Sequence, residues 1–194
     1  MFASYYLITV TCFMVYEVLR TYHRTNGGQM SQYMFGPIGL SDQKAVIDLF
    51  NHYIEHSFAA YPEHKVPYEF FNMFLGMCKD HPSVTVKDDE GMLAGFGMLR
   101  YHNPIPAFSH TAEITYFIRP ELTGKGLGTQ MLEYLIAEGK KRGISNILAS
   151  ISSLNEGSIR FHQKHGFTEC GRFREVARKK STFFDVVWMQ KNIG

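Results

Sequence analysis

The stretch Glu113-Ile114-Thr115-Tyr116-Phe117-Ile118-Arg119-Pro120-Glu121-Leu122-Thr123-Gly124-Lys125-Gly126-Leu127-Gly128-Thr129 carries a change of hydrophobic period. Before Pro120, the β-formers Ile114, Tyr116, Phe117 and Ile118 read as a buried strand. After Gly128, apolar residues at Leu127, Met131, Leu132, Leu135 and Ile136 recur at helical spacing. Between strand and helix lies a turn with Gly124, Gly126, Gly128 and one cation, Lys125. A chain that runs through such a turn into a helix N-terminus aims orphan N–H groups at one point, and the helix dipole adds to their pull on an anion. Glycines let a bulky polyphosphate approach the backbone. The turn therefore reads as a phosphate cradle.

Two common phosphate motifs fail on spacing. A P-loop needs G-x-x-x-x-G-K-[ST], but Gly124-Lys125 is followed by Gly126 and preceded at five residues by Arg119. A dinucleotide fingerprint needs G-x-G-x-x-G, but Gly126-Leu127-Gly128 is followed three residues on by Met131.

A second motif lies downstream: Asn155-Glu156-Gly157-Ser158-Ile159-Arg160-Phe161-His162-Gln163-Lys164-His165-Gly166-Phe167. Together the two resemble the GNAT superfamily of N-acetyltransferases, whose acyl-CoA pyrophosphate loop reads [Q/R]-x-x-G-x-[G/A]. Thr123-Gly124-Lys125-Gly126-Leu127-Gly128 keeps the glycines and departs at the first position, which leaves the main-chain cradle intact. The ending, Gly171-Arg172-Phe173-Arg174-Glu175-Val176 and Phe184-Asp185-Val186-Val187-Trp188-Met189-Gln190, is similar to the phosphinothricin and methionine-sulfoximine acetyltransferase subfamily. The resemblance spans roughly residues 39 to 193. It implies an α/β (α+β) fold: a mixed, mostly antiparallel central sheet flanked by helices, with a splayed central strand pair that holds acyl-CoA.

Composition agrees with a soluble globular chain: 194 residues, 45% hydrophobic and 20% charged. A net charge of +2, with no basic cluster interleaved with aromatics, argues against nucleic acid. Cys12, Cys78 and Cys170 form neither a metal spacing nor a disulfide framework, which fits a reducing cytoplasm. The pair His162 and His165 lacks a carboxylate at ligand spacing, so no metal is expected.

Met1 to Tyr16 carries no charged side chain. It is short for a membrane helix and lacks a basic n-region and an A-x-A cleavage site. It reads as a hydrophobic extension upstream of the true start, with Met30 following a breaker run; a membrane anchor over residues 1–19 is the rival reading. Residues 1–33 are accordingly taken as extension and linker, the linker running from Thr25 to Tyr33, and residues 34–194 as the acetyltransferase domain. Within it we expect a strand at Phe35–Leu40, a helix capped near Ser41-Asp42, and a second helix over Tyr68–Cys78. Strands follow on both sides of the turn Asp88-Asp89-Glu90-Gly91, with Gly95 and Gly97 thinning the second where a ligand could lie close. The central strand, the cradle helix ending at Lys140–Gly143, a strand at Ile144–Ile151, a helix capped by Asn155 and closed by Gly166, and two last strands complete the order.

The resemblance implies transfer of an acetyl group from acetyl-CoA to a primary amine. Glu113 is then the expected general base, and apolar chain neighbours suit a carboxylate to that work; its rival role is to bind the substrate ammonium. The main chain of Tyr116, Phe117 and Ile118 is expected to pair with the pantetheine amides and to supply an oxyanion donor. Thr123, Gly124, Lys125, Gly126, Leu127, Gly128 and Thr129 are expected to hold the pyrophosphate. Asn155 is expected to reach the pantetheine arm, with Ser158 of the same motif beside it. His162 stands where many relatives have a tyrosine acid, and either protonates the leaving thiolate or packs. Phe58 and Tyr61 either line the acceptor pocket or pack, and Arg100 or Arg119 is the cation for an anionic acceptor. The acceptors implied are small amino-acid-like amines of the methionine sulfoximine, methionine sulfone or phosphinothricin type, and a homodimer is a family expectation. Protein N-termini, polyamines and a catalytically silent acyl-CoA sensor are the alternatives.

Overall fold

The computed structural model describes residues 19–24 and 30–194. The expected extension at residues 1–18 lies outside the described residues. Strand β1, Leu19–Arg24, pairs antiparallel with β2, Met30–Gly36. The first strand expected at Phe35–Leu40 thus starts earlier and crosses the boundary placed at residue 34, and Met30–Tyr33 of the expected linker belong to it. The reason is alternation: Tyr33 and Phe35 both point into the core, and the strand ends at Gly36-Pro37.

Helix α1, Gln43–His56, buries Val46, Ile47, Leu49, Phe50 and Ile54 along one stripe. Asp42 occupies its N-cap position, but its carboxylate reaches back to accept from the Gly39 N–H at 2.9 Å and pairs with Lys87 at 2.7 Å. After a 3-10 turn at Tyr68–Phe70 comes α2, Phe71–Met77. Strands β3, Ser83–Lys87, and β4, Leu93–Tyr101, flank the acidic turn, which Gly91 completes at φ 78°. Then follow β5, Thr111–Ile118; α3, Leu127–Lys141; β6, Asn146–Ser152; α4, Glu156–Lys164; β7, Thr168–Lys179; and β8, Thr182–Asn192.

The described strands form one sheet in the order β1-β2-β3-β4-β5-β6-β8-β7. Every pairing is antiparallel except β5 with β6, which is parallel and covers only Thr111–Asn146, Ala112–Ile147 and Glu113–Leu148. Beyond those pairs the two strands diverge, which is the splay the resemblance implies. Each face of the sheet has its own core. One gathers Ile114, Ile118, Leu127, Met131, Leu135, Ile147 and Ile151 beneath α3. The other gathers Phe117, Phe96 and Met98 with Val46, Phe50, Ile54, Phe71 and Phe74 of α1 and α2.

Gly95 and Gly97 answer to strand approach rather than to a ligand. A Cβ on Gly95 would lie 2.8 Å from the Phe117 carbonyl oxygen, and one on Gly97 would lie 2.7 Å from Tyr116 Cβ. Both contacts are too short for real carbon atoms, so glycine there lets β4 close on β5.

Candidate active site

The splay of β5 and β6 opens a gap into which main-chain groups point. Arg119 N–H donates to Ala94 O on the β4 side. By the two-residue alternation of a strand, the N–H and C=O groups of Ile114, Tyr116 and Ile118 therefore face the gap, while those of Phe117 face β4. Tyr53 of α1 donates its phenol to Ile118 O at 2.6 Å, closing one end of this edge. A cavity of about 100 Å3 fills the gap between Ile114–Phe117 and Ala149–Ser152, with Asn155, Ser158, His162 and Ala59 around it. A groove of about 660 Å3 continues from it along Thr123, Gly124, Gly126, Gly128 and Thr129 to α4.

The cradle is built as its residues suggest. Gly124 and Gly126 take left-handed φ of 73° and 89°, which glycine adopts without strain. Gly126 is the N-cap of α3, so the first N–H groups of that helix have no carbonyl behind them and face the groove. Gly128 lets α3 meet α4: a Cβ there would sit 3.3 Å from the Phe161 ring. Thr129 Oγ1 lies 3.0 Å from His165 Nε2, and His165 Nδ1 donates to Phe161 O at 2.8 Å, so Nε2 is the acceptor. This chemistry fits a polyphosphate that lies over a helix start and an amide-bearing arm that lies along β5.

Of the residues expected to bind cofactor, all but Lys125 and Leu127 line the groove or the gap, but the main chain of Phe117, expected to pair with the pantetheine, is turned to β4. Lys125 points to solvent, and the Leu127 side chain is buried in the core, 1% exposed. The groove adds Tyr53, Ala59, Arg160, Phe161, Lys164 and His165. Arg160 and Lys164 stand four residues apart on α4, a spacing legible in the sequence that puts two cations on one helix face, although Arg160 is paired with the exposed Glu156 at 2.8 Å. Asn155 caps α4 through its side-chain oxygen, which accepts from Ser158 N at 3.3 Å, and it also lines both cavities.

Glu113 is the last residue of β5 paired to β6, so its carboxylate stands at the closed end of the splay, 7% exposed. Its neighbours in space are polar, a guanidinium and an imidazole, not the apolar ones suggested by the chain. Arg100 Nη2 bonds one carboxylate oxygen, and His102 Nδ1 lies 2.9 Å from the other. Its charge also adds to burial in raising the Tyr61 phenol pKa. Arg100 is thus committed to Glu113, and Arg119 is paired with Asp88 at 3.3 Å and Glu121 at 3.2 Å; neither is a spare cation. His102, flanked by the rings of Phe108 and Trp188, was not read from the sequence.

His162 is buried, 3% exposed, and burial lowers its pKa to about 4. Nδ1 lies 2.8 Å from Ser158 O, so that nitrogen carries the proton, and Nε2 accepts from the Tyr116 phenol at 2.8 Å. Burial likewise raises the Tyr116 phenol well above its ordinary value. A neutral histidine whose free nitrogen already accepts has no proton for a thiolate, so the donor role expected for His162 is not one this geometry serves. Phe58 packs edge-on against Phe184 at 5.6 Å, and Tyr61 reaches Ser150 Oγ at 3.5 Å. The member of their loop that walls both cavities is Ala59, lying between them.

The sequence model of the Acetyltransferase (GNAT) family matches residues 46–167, more than half of the chain. An L-methionine sulfoximine/L-methionine sulfone acetyltransferase of Pseudomonas paraeruginosa is 27% identical over 159 residues, 80% of this chain and 91% of that protein. A phosphinothricin N-acetyltransferase of Streptomyces coelicolor is 27% identical over 154 residues, 77% of this chain and 90% of that protein. In fold, the chain matches the crystal structure of a GNAT superfamily phosphinothricin acetyltransferase from Sinorhizobium meliloti in complex with AcCoA. The TM-score is 0.79 at 21% identity, over 84% of this chain and 89% of that one.

Proposed function

The chain belongs to the GNAT acetyltransferase family, and from that premise we propose that it acetylates the primary amine of a small amino-acid-like acceptor, with Glu113 as general base. Acetyl-CoA, the co-substrate of GNAT acetyltransferases, supplies the acyl thioester. The observation that carries the reading is the position of one buried residue, Glu113, at the closed end of the splay, where it directly precedes Ile114 of the cavity wall.

The chain's own groups divide the work. The N–H groups of Gly126–Gly128 and the cation of Lys164, with Arg160 once it turns from the exposed Glu156, favour the polyanionic end of the ligand, while Tyr116 and Ile118 offer main-chain amides along the gap. An N–H fixed in a strand needs no reorganisation to meet a developing oxyanion. An arriving ammonium is drawn to Glu113, which takes its proton directly or through one water. Arg100 and His102 hold the carboxylate from both sides, so its direction is set before the acceptor arrives. His162 anchors the Tyr116 phenol rather than supplying a proton, so the thiolate leaves unprotonated; a thiol with a pKa of about 8.5 on the cysteine scale makes that feasible. The names of the relatives support acceptors of the methionine sulfoximine, methionine sulfone or phosphinothricin type. The cytoplasm, where free Cys78 and Cys170 would persist, is the expected setting. Among the described residues no helix is long and apolar enough to cross a membrane.

The test is thiol release from acetyl-CoA over a panel of amino acids, sulfoximines, polyamines and peptides. Turnover is expected on methionine sulfoximine or a related amino acid, and Glu113→Gln is expected to lower it by at least about tenfold. Acetyl-CoA binding without turnover on any amine would favour the sensor reading, and failure to bind acetyl-CoA would overturn the cradle.

A further inference from the structure

Lys179, the last residue of β7, is 0% exposed. Burial lowers its pKa, Lys180 adds to that effect and Glu63 opposes it. A buried ammonium must be met by acceptors. Here they are two main-chain carbonyls far away in sequence, Ser57 O at 2.8 Å and Ala60 O at 2.6 Å. Those carbonyls bracket Phe58 and Ala59. Ala59 walls both the gap and the groove, and Phe58 packs on Phe184 of β8.

The neighbouring residue repeats the tie. Lys180 Nζ donates to Glu55 O, and Lys180 N–H donates to Glu63 Oε1 at 2.9 Å. Lys180 and Ser181 form the two-residue turn between β7 and β8, with left-handed φ of 48° and 61°. This is the twist of a type I′ hairpin, here without glycine. The turn is therefore fastened to the last turn of α1 and to the loop that follows it.

We propose that Lys179 is a positioning residue for the acceptor: the β7–β8 hairpin straps residues 57–63 over the splay, and through Ala59, Phe58 and Tyr61 it sets the acceptor's side of the pocket. The inference rests on the acetyltransferase reading of that pocket. The ligand's polyphosphate end is held by α3 and α4, whereas Lys179 Nζ bonds Ser57 O and Ala60 O, and Ala59 alone of residues 57–61 walls the groove, so the acceptor KM should move more than the acetyl-CoA KM. Methionine at position 179 keeps the stem and leaves two carbonyls without a donor, which loosens the loop.

The experiment compares wild type, Lys179→Met and Glu63→Ala, the last removing an exposed tie. For Lys179→Met the expected result is an acceptor KM raised about fivefold or more, with the acetyl-CoA KM within about twofold of wild type. Glu63→Ala should move the same way by a smaller factor, and it serves as the test if Lys179→Met does not fold. In parallel, limited chymotrypsin digestion should cut after Phe58 faster in the variants, with other sites unchanged. Equal KM values for the acceptor, or an equal rise in both KM values, overturn the proposal. If wild type turns over no amine, the activity reading has failed on its own. The strap is then judged by digestion with acetyl-CoA affinity as the control, and unchanged cleavage after Phe58 overturns it.

Discussion

At the scale of single residues, a side chain's neighbours in space outweigh its neighbours in the chain. Glu113 sits between Ala112 and Ile114 in sequence, yet Arg100 and His102 surround its carboxylate across β4 and the following turn. In the sequence His162 can either donate a proton or pack, and hydrogen bonds at both ring nitrogens make it a neutral acceptor. That state is readable in stability. Its folded pKa of about 4 lies below the ordinary 6.5, so the unfolded chain binds the extra proton first as pH falls. The contribution is therefore fully present above about pH 6.5 and is lost towards pH 4. Urea unfolding should show His162→Gln losing less stability than wild type between pH 7 and pH 5, by about 2 kcal/mol. Equal losses would mean that His162 titrates normally.

At the scale of elements, the splay of β5 from β6 makes the site, and two glycines of β4 keep β5 in place. Gly97 lies opposite Tyr116, whose main chain faces the gap, and no Cβ fits between them. Gly97→Val should cost roughly 1–3 kcal/mol by overpacking and displace Tyr116. Thermal unfolding should register the first effect and a raised acetyl-CoA KM the second. A variant with wild-type KM would show that the strand edge tolerates the shift. The cradle of α3 was legible because its glycines, cation and helix start are contiguous. The partners of α4, from Phe161 on Gly128 to His165 on Thr129, were not, because they join residues more than thirty positions apart.

For the whole molecule, β7 is an edge strand whose residues 168–176 are all exposed, with Phe173 at 58% and Val176 at 61%. An unpartnered edge with apolar residues on it tends to pair or to be covered. The homodimer expected from the family would meet that need here. Light scattering should give twice the 22.3 kDa chain mass, and Val176→Lys should shift it towards one chain. A monomeric wild type would sink the expectation, and a dimeric Val176→Lys would place the interface elsewhere.

By itself, the sequence determined what depends on short-range pattern: the strand–glycine–helix switch at Glu113–Thr129, the order of elements from α1 to β8, the helix stop at Gly143 and the cap at Asn155. Each rests on periodicity or on backbone conformations written within a few residues. Only the tertiary structure decided what depends on long-range pairing. It set which strand edge opens, which cations are already committed to a carboxylate, which nitrogen of His162 bears the proton, and that Lys179 reaches back to Ser57 and Ala60. The physical reason is that burial and hydrogen bonding are properties of the assembled neighbourhood, and charge, tautomer and pocket walls follow from those.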